Sequence, residues 1–301
     1  MKPAPFEYLR PTTIRQTIEA IAVRCRGEAA ILAGGQALIG ELKLRTRQPS
    51  VVVDISRVAE LHHVQSRNGD LQIGSMLSLR QLENENIVDR VPALAVASRL
   101  CGPDIRRRNR ATVGGALVMV RGAEVLIAAA ACEDASLTLA SVGGSRVVSW
   151  QDCLCAPGGF LTSSDLVISL SVKEGSLAAA GWVIEVRHSA SLAGMLTVRE
   201  NPDRKRVFRL SLAASSGVIR LSRAEAWLQN ESTPASDDFE AVITDAVLAC
   251  LPASEILYRT GNSRIASLFI ESYYRAISNQ TVAVRHVFGT RTAAYASKRA
   301  A

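Results

Sequence analysis

The sequence predicts an α+β fold: two α/β subdomains followed by a C-terminal antiparallel sheet with helices. Three observations predict this class. Helix-like and strand-like segments alternate at the start, short strand-like runs with glycine turns dominate the middle, and long apolar alternation follows residue 175. A chain of 301 residues with 48% hydrophobic content can bury a core in two or three domains, which excludes general intrinsic disorder.

The N-terminal subdomain, residues 1–57, is predicted from its hydrophobic period. Apolar residues recur at helical spacing in two segments, and short apolar runs follow each of them. Threonines precede the first helical segment as N-cap residues do, and Pro49 stops the second. The predicted order is helix, strand, helix, strand: Thr12–Ala22, Ala29–Ala33, Ala37–Leu44 and Val51–Ile55.

The second subdomain, residues 58–175, is predicted to be richer in hairpins. Strand-like runs Leu61–Val64 and Leu71–Gly74 flank a turn at Asn68-Gly69-Asp70. Two helical segments, an alanine-rich segment and three further strands follow. They are Leu79–Asn84, Ala93–Leu100, Val125–Cys132, Ser136–Ala140, Ser145–Val148 and Asp165–Val172.

The C-terminal domain, residues 176–281, is predicted to be an antiparallel sheet closed by two helices. Apolar and polar residues alternate in Trp182–Val186 and Leu210–Ala214, which is typical of strands with one face in water. Helical spacing predicts the two helices over Asp238–Leu251 and Ile265–Ser278.

Charge and cysteine content restrict the class of protein. A net charge of +7 suits anionic ligands or acidic partner surfaces. The last segment, residues 282–301, is a basic tail without apolar periodicity, which we expect to be extended or mobile. Six scattered cysteines favour free thiols over a disulfide framework. Because no signal-peptide-like or membrane-spanning run is present, we expect a cytoplasmic protein without membrane insertion.

Two glycine pairs are the strongest local motif. Gly34-Gly35 lies between a predicted strand and a predicted helix, and Gly114-Gly115 forms a second predicted turn. Consecutive glycines permit positive φ and leave backbone N–H groups uncovered, so an anion such as a pyrophosphate can approach. A helix that begins directly after the loop adds the positive end of its dipole. The alternative interpretation is two tight turns without a ligand, and the motif alone leaves both open.

The sequence resembles a known family in segments that include these glycine pairs. The matching segments are Phe6–Pro11, Leu32–Leu38, Leu42–Arg45, Val53–Ile55, Leu71–Gly74, Asn109–Gly115, Leu161-Thr162 and Asp165–Val167, and Ser272–Arg275 is similar more faintly. They resemble the FAD-binding medium subunit of molybdenum hydroxylases, the family of carbon monoxide dehydrogenase and xanthine dehydrogenase. The resemblance implies the vanillyl-alcohol-oxidase (PCMH) type of FAD-binding fold.

The resemblance also implies a function. The chain would be an oxidoreductase subunit that binds FAD non-covalently and passes electrons from a partner's iron–sulfur clusters through the flavin to an acceptor. Its partners would be a large molybdopterin subunit and a small [2Fe-2S] subunit in a heterotrimer. Both of those cofactors would lie on the partners only, and the cysteines of this chain lack the spacing of an iron–sulfur motif. No side chain of this chain would be catalytic.

The cofactor-binding residues that the resemblance implies form two loops and two single positions. The first loop comprises Ala33, Gly34, Gly35, Gln36, Ala37 and Leu38. The second comprises Ala111, Thr112, Gly114, Gly115 and Ala116. Val167 would lie near one end of FAD, and Glu124 is the acidic candidate for the ribityl chain.

Several positions depart from the family pattern. Where the family usually has a polar residue, an Asp-Pro pair and a further Asp, this sequence has Ala116, Arg121-Gly122 and Val125. An alternative therefore stays open: a flavin-free scaffold subunit of the same fold that serves assembly or protein interaction. A stand-alone flavin oxidase is a third interpretation, although such enzymes usually carry a separate substrate-binding domain.

Three other polar groups are weaker candidates. The run Arg106–Arg110 favours flavin or subunit contacts, with a solvated surface or nucleic-acid binding as alternatives. Low aromatic content, 5%, argues against base stacking, and we expect no nucleic-acid partner. Cys153 and Cys155 are too close for ordinary zinc spacing, and His62 and His63 would point to opposite faces of a strand. We therefore predict no metal site.

Overall fold

The computed structural model describes residues 2–24, 29–101, 104–119, 122–149, 161–175, 179–187, 190–200, 206–214, 217–230, 241 and 286–288. The chain divides into two units, Met1–Ser176 and Leu177–Ala301. The described residues form helices together with parallel and antiparallel sheets, which is the mixed α+β class that the sequence predicts. The subdomain boundaries at residues 57 and 281 stay predictions.

A small parallel sheet begins the first unit. Its strands β1 (Glu7–Leu9), β2 (Ala29–Leu32) and β3 (Val51–Asp54) lie in the order β1-β3-β2, and both pairings are parallel. All four residues of β3 are buried because it is the central strand. Helix α1 (Ile14–Arg24) precedes β2, and helix α2 (Leu38–Leu44) follows it. The predicted helix, strand, helix, strand order is thus confirmed, with small shifts at the ends.

A second sheet in the same unit has five strands, and its pairings are antiparallel. Asn68 and Gly69 have φ of 54° and 83°, which makes the predicted hairpin turn. The first hairpin strand lies later than predicted, because Leu61 ends a 3₁₀ turn instead. The strands are β4 (Val64–Arg67), β5 (Asp70–Gly74), β6 (Ser136–Ser141), β7 (Gly144–Ser149) and β8 (Leu166–Lys173). They lie in the order β4-β5-β8-β6-β7.

Helices occupy the connection from β5 to β6. Every residue of the last of these helices is buried, and its alanine-rich sequence lets neighbouring elements approach it from all sides. In the described residues this connection contains α3 (Glu85–Val88), α4 (Pro92–Leu100), α5 (Ile105–Arg110), α6 (Val113–Met119) and α7 (Glu124–Cys132).

The helix predicted over Leu79–Asn84 is wrong: only a 3₁₀ turn, Gln81–Glu83, forms there. The Leu79 N–H donates to the Ala111 carbonyl at 2.8 Å, and the Arg80 N–H donates to the Arg108 carbonyl at 3.1 Å. These bonds run to another segment of the chain, so the backbone follows that segment instead of closing a regular helix.

The described residues of the second unit contain a five-stranded sheet that is mostly antiparallel. The predicted strands Trp182–Val186 and Leu210–Ala214 lie within two of these longer strands. The strands are β9 (Ala179–Arg187), β10 (Ala190–Glu200), β11 (Arg206–Ala214), β12 (Gly217–Arg220) and β13 (His286–Phe288). They lie in the order β12-β11-β10-β9-β13, and β13 pairs with β9 in parallel.

Helix α8 (Ser222–Asn230) follows β12 and is absent from the sequence-based prediction. Its buried Glu225 accepts hydrogen bonds from the Leu210 N–H and from the Arg220 side chain, which attaches the helix to the sheet. The predicted helices Asp238–Leu251 and Ile265–Ser278 lie outside the described residues, apart from residue 241. Of the predicted basic tail, the structure describes the three residues of β13.

Among the described residues, no single helix has the length and hydropathy needed to cross a membrane. The bent pair α6 and α7 reaches those values only when the two helices are taken together.

A buried carboxylate lies at the carboxyl end of β3. The side chain of Asp54 accepts hydrogen bonds from the Tyr8 hydroxyl and the Ser56 N–H, and Arg10 Nε lies 3.3 Å from it. Burial opposes ionisation of Asp54, but these hydrogen bonds outweigh it and its pKa is lowered. The hydrogen bond to Asp54 also raises the pKa of Tyr8.

These two pKa shifts predict how a Tyr8→Phe variant responds to pH. The contribution of Asp54 is present above its unfolded pKa and is lost as the pH falls below about 4, whereas that of Tyr8 is lost as the pH rises above about 10. We expect the loss of unfolding free energy in Tyr8→Phe to be largest between about pH 5 and about pH 9 and to shrink on both sides. Urea unfolding from about pH 3 to about pH 11 checks it, and a difference that stays constant over this whole interval would contradict it.

Candidate functional site

The first glycine loop connects β2 to α2, as predicted. Gly35 has a φ of 70°, a conformation that favours glycine. Gln36 is exposed, and Leu38 at the start of α2 is buried against Ala30 and Val52 of the sheet. The loop therefore has one face anchored in the core and one face toward solvent.

The backbone N–H groups of this loop are available to a ligand. Within the described part of the chain, Gly35, Gln36 and Ala37 donate to no protein acceptor, and the first hydrogen bond into α2 is from the Ile39 N–H to the Gly35 carbonyl at 3.3 Å. Three consecutive unpaired donors before a helix favour an anion. This is the arrangement that the sequence predicts for the first glycine pair.

The two loops meet through their backbones. A Cβ on Gly34 would lie 1.9 Å from the carbonyl oxygen of Arg110 and 3.2 Å from the Cα of Ala111. No side chain fits in that space, so glycine is required at position 34 by packing. The structure thus brings together the two loops that the sequence analysis placed around one ligand.

The second glycine pair differs from the prediction: it forms the first turn of α6 instead of an open turn. Its donors are used inside the protein, since the Gly114 N–H donates to the Ser75 carbonyl at 2.8 Å and the Gly115 N–H to Thr112 Oγ1 at 3.2 Å. The Ala116 N–H donates to the Thr112 carbonyl at 2.9 Å. Gly114 is needed for a close approach, because a Cβ there would lie 2.7 Å from the Cβ of Ser75.

A segment that follows β5 holds this second loop in place. The Val113 N–H donates to the Leu77 carbonyl, the Leu79 N–H donates to the Ala111 carbonyl, each at 2.8 Å, and Thr112 forms a β-bridge with Ser78. Sequence analysis missed this segment. A single β-bridge imposes no hydrophobic repeat on the residues around it, so no pattern in the sequence predicts this segment.

Ser75, in this segment, has a buried hydroxyl without a hydrogen-bond partner in the described residues. A buried unpaired hydroxyl costs about 1–3 kcal/mol of desolvation. We therefore expect Ser75→Ala to leave the unfolding free energy unchanged or to raise it by up to about 1 kcal/mol. Thermal unfolding checks this, and a marked loss of stability would contradict it.

The two single candidates lie on buried elements. Val167 is on β8 beside Leu139, and the carbonyl of its neighbour Ile168 accepts a hydrogen bond from the Ser75 N–H at 2.9 Å. Val167 is thus next to a residue that binds Ser75, and the carbonyl of Ser75 accepts the Gly114 N–H of the second loop. Glu124 is buried at the start of α7, and its charge adds to burial, the largest cause, in raising the pKa of Cys101. Their roles toward a cofactor stay predictions.

The arginine run forms α5 and separates into two faces. Arg108 is mostly buried, and its Nε lies 2.7 Å from Glu83 Oε1. Arg106, Arg107 and Arg110 are exposed at the surface beside the second loop. The position of α5 is compatible with a ligand or subunit contact, which stays a prediction.

The described residues contain no group of three or more His, Cys, Asp or Glu side chains able to hold a metal ion. The ring of His62 is hydrogen-bonded to the Ser56 carbonyl and that of His63 to the Glu60 carbonyl. Burial, as the largest cause, raises the pKa of Cys101 to about 12, so its thiol is unreactive. Cys153 and Cys155 lie outside the described residues.

Comparison with known proteins identifies the family. The family described as "FAD binding domain in molybdopterin dehydrogenase" matches residues 4–172, which is more than half of the chain. Caffeine dehydrogenase subunit beta of Pseudomonas sp. (strain CBB1) is 28% identical over 295 residues, covering 95% of this chain and 98% of that protein. The carbon monoxide dehydrogenase medium chain of Hydrogenophaga pseudoflava is 36% identical over 116 residues, 38% of this chain and 40% of that one.

Solved structures support the fold. Carbon monoxide dehydrogenase from Hydrogenophaga pseudoflava superposes with a TM-score of 0.77 at 23% identity, covering 93% of this chain and 100% of that chain. Quinoline 2-oxidoreductase from Pseudomonas putida 86 gives 0.76 at 22% identity, covering 92% and 100%. The predicted resemblance is confirmed: this chain belongs to the FAD-binding domain family of molybdopterin dehydrogenases and is an oxidoreductase component.

Proposed function

We propose that this chain is the FAD-binding medium subunit of a molybdenum hydroxylase complex. In this proposal it receives electrons from the iron–sulfur clusters of a small partner subunit and passes them through FAD to an acceptor. A large partner subunit carries molybdopterin, and the complex works in the cytoplasm. The names of the relatives, which include a medium chain and a subunit beta, support a multi-subunit assembly.

One observation carries the cofactor assignment: the N–H groups of Gly35, Gln36 and Ala37 donate to no acceptor among the described residues. A pyrophosphate presents several acceptor oxygens and a negative charge, which match consecutive N–H donors at the start of a helix. These residues would hold the FAD pyrophosphate, and Ala33 and Leu38 would fix the loop ends. FAD would supply the redox chemistry.

The second loop has a different part in this proposal. Because its N–H groups already have acceptors, Ala111, Thr112, Gly114, Gly115 and Ala116 would shape the wall of the site by close packing. The backbone contact at Gly34 ties that wall to the first loop. The described residues thus contribute orientation and exclusion of water.

The same satisfied donors favour the second candidate function, a flavin-free scaffold subunit. A second loop that offers few free donors gives FAD fewer hydrogen bonds, and each missing bond costs about 1 kcal/mol of affinity. In this alternative the glycines are required only for packing, and the chain serves assembly with its partner subunits.

An FAD titration separates the two candidates. We expect the full-length chain to quench flavin fluorescence with a Kd of roughly 1 μM or tighter and to show absorption bands near about 370 and 450 nm. A colourless protein that ignores excess FAD, alone and when co-expressed with both partner subunits, would overturn FAD binding and favour the scaffold. Gly40→Ala is a control variant, because Gly40 lies on the exposed side of α2 with open space around it. It should bind FAD with the same Kd as the wild-type chain.

A further inference from the structure

Glu83 is a buried carboxylate that no glycine motif or strand pattern predicts. Its side chain is 3% exposed and contacts three arginines. Oε1 lies 2.7 Å from Arg108 Nε, and Oε2 lies 2.5 Å from an Arg80 guanidinium nitrogen and 3.7 Å from Arg99 Nε. A buried carboxylate with several charge-assisted contacts is costly to disturb.

The three arginines come from three different segments. Arg80 lies in the connection after β5, Arg99 is in the last turn of α4, and Arg108 is on α5. Glu83 therefore holds these segments together at one point. Arg108 is also linked through its backbone, since its carbonyl accepts the Arg80 N–H at 3.1 Å.

The cluster lies directly before the second loop. Arg108 is two residues from Arg110, whose carbonyl oxygen fills the space above Gly34. Displacing α5 would therefore move the contact between the two glycine loops. We propose that Glu83 is a positioning residue of the cofactor site, which fixes α5 and thereby the spacing of the loops around FAD. This inference rests on the proposed FAD binding.

Charge alone predicts the opposite effect. One carboxylate facing three guanidinium groups leaves a net charge of +2, and removal of the carboxylate raises it. A more positive cluster would attract the FAD pyrophosphate more strongly. If Glu83 acts by positioning, its removal must weaken FAD binding in spite of the added positive charge. The sign of the change therefore separates positioning from electrostatics.

The test compares Glu83→Gln with Glu174→Gln. The control removes another arginine-paired carboxylate of the same unit, since Glu174 accepts two hydrogen bonds from Arg90 at 2.9 and 3.0 Å. We expect Glu83→Gln to raise the FAD Kd by about tenfold or more. Glu174→Gln should leave the Kd within about twofold, because it contacts neither loop. An unchanged or lower Kd in folded Glu83→Gln would overturn the proposal.

A double-mutant cycle tests the route through Arg108. Arg108→Gln alone should raise the FAD Kd by a similar factor, and the double variant should raise it no further than either single change. Additive effects on the Kd would mean that Glu83 does not act through Arg108. Thermal unfolding of each apo variant separates lost stability from lost affinity.

The positioning role of Glu83 can be tested even if the wild-type chain binds no FAD. That result overturns the proposed function, but hydrogen exchange in the apo protein still reports the position of the second loop. We expect faster exchange at the amides of Val113, Gly114 and Ala116 in Glu83→Gln and unchanged exchange in Glu174→Gln. Equal exchange in wild type and Glu83→Gln would overturn the positioning role by itself.

Discussion

Replacing Gly34 with alanine is expected to remove FAD binding and to destabilise the first unit by roughly 3 kcal/mol or more. The new Cβ would lie 1.9 Å from the Arg110 carbonyl oxygen. Neither atom can rotate away, because each is bonded directly to the main chain. The loops must separate to relieve the collision, so the donors of Gly35 and Ala37 would move with respect to the second loop. Urea unfolding and the FAD titration measure the two effects.

Gly40→Ala is the matched control for this change. Gly40 lies on α2, and a Cβ there meets no atom within 4 Å. Alanine is favoured over glycine in a helix by about 1 kcal/mol, so this variant should be at least as stable as wild type. If Gly34→Ala matched Gly40→Ala in stability and FAD affinity, the backbone contact between the loops would have no role.

Replacing Asp165 with asparagine is expected to lower the unfolding free energy by about 2 kcal/mol. The side chain of Asp165 is 1% exposed and binds Arg146 through two hydrogen bonds of 2.6 and 2.7 Å. It also accepts from the N–H and the hydroxyl of Thr162. Since Arg146 is 43% exposed, the loss should be smaller than for a fully buried pair.

Acid unfolding gives this prediction a second readout. The hydrogen bonds from Arg146 are the largest cause that lowers the pKa of Asp165. Its stabilisation is therefore present above the unfolded pKa, near about 4, and is lost as the pH falls through the lower folded value. The exposed Asp89, changed to Asn, is the control and should alter stability by less than about 0.5 kcal/mol. Equal losses in both variants would contradict the role of the ion pair.

The order of elements in the first unit was largely predictable from the sequence. The β-branched run Val51–Val53 lies in the buried central strand of its sheet, and helical spacing predicts α1 and α2. Such segments are predictable because a fully buried strand is a continuous apolar run, whereas a half-buried helix repeats its apolar residues about every 3.6 positions. The first glycine loop was predictable for the same reason, since it separates a strand from a helix.

The second loop was harder to predict because its conformation depends on distant partners. Gly114-Gly115 suggests a turn locally, but hydrogen bonds to Ser75 and Leu77 place the pair inside a helix. The helix predicted over Leu79–Asn84 does not form, because the Leu79 and Arg80 N–H groups donate to the carbonyls of Ala111 and Arg108 instead. Glu83 carries no signal at all, since a buried ion cluster is defined only by the residues that surround it.

Hydrogen exchange with and without FAD tests the central claim, that the first glycine loop binds the pyrophosphate. We predict that FAD slows exchange most at the amides of Gly35, Gln36 and Ala37, which donate to no acceptor in the described protein. Amides of the hairpin turn at Asn68-Gly69 should be unaffected. FAD binding that leaves the first loop unprotected, or protection spread evenly over the chain, would contradict the account.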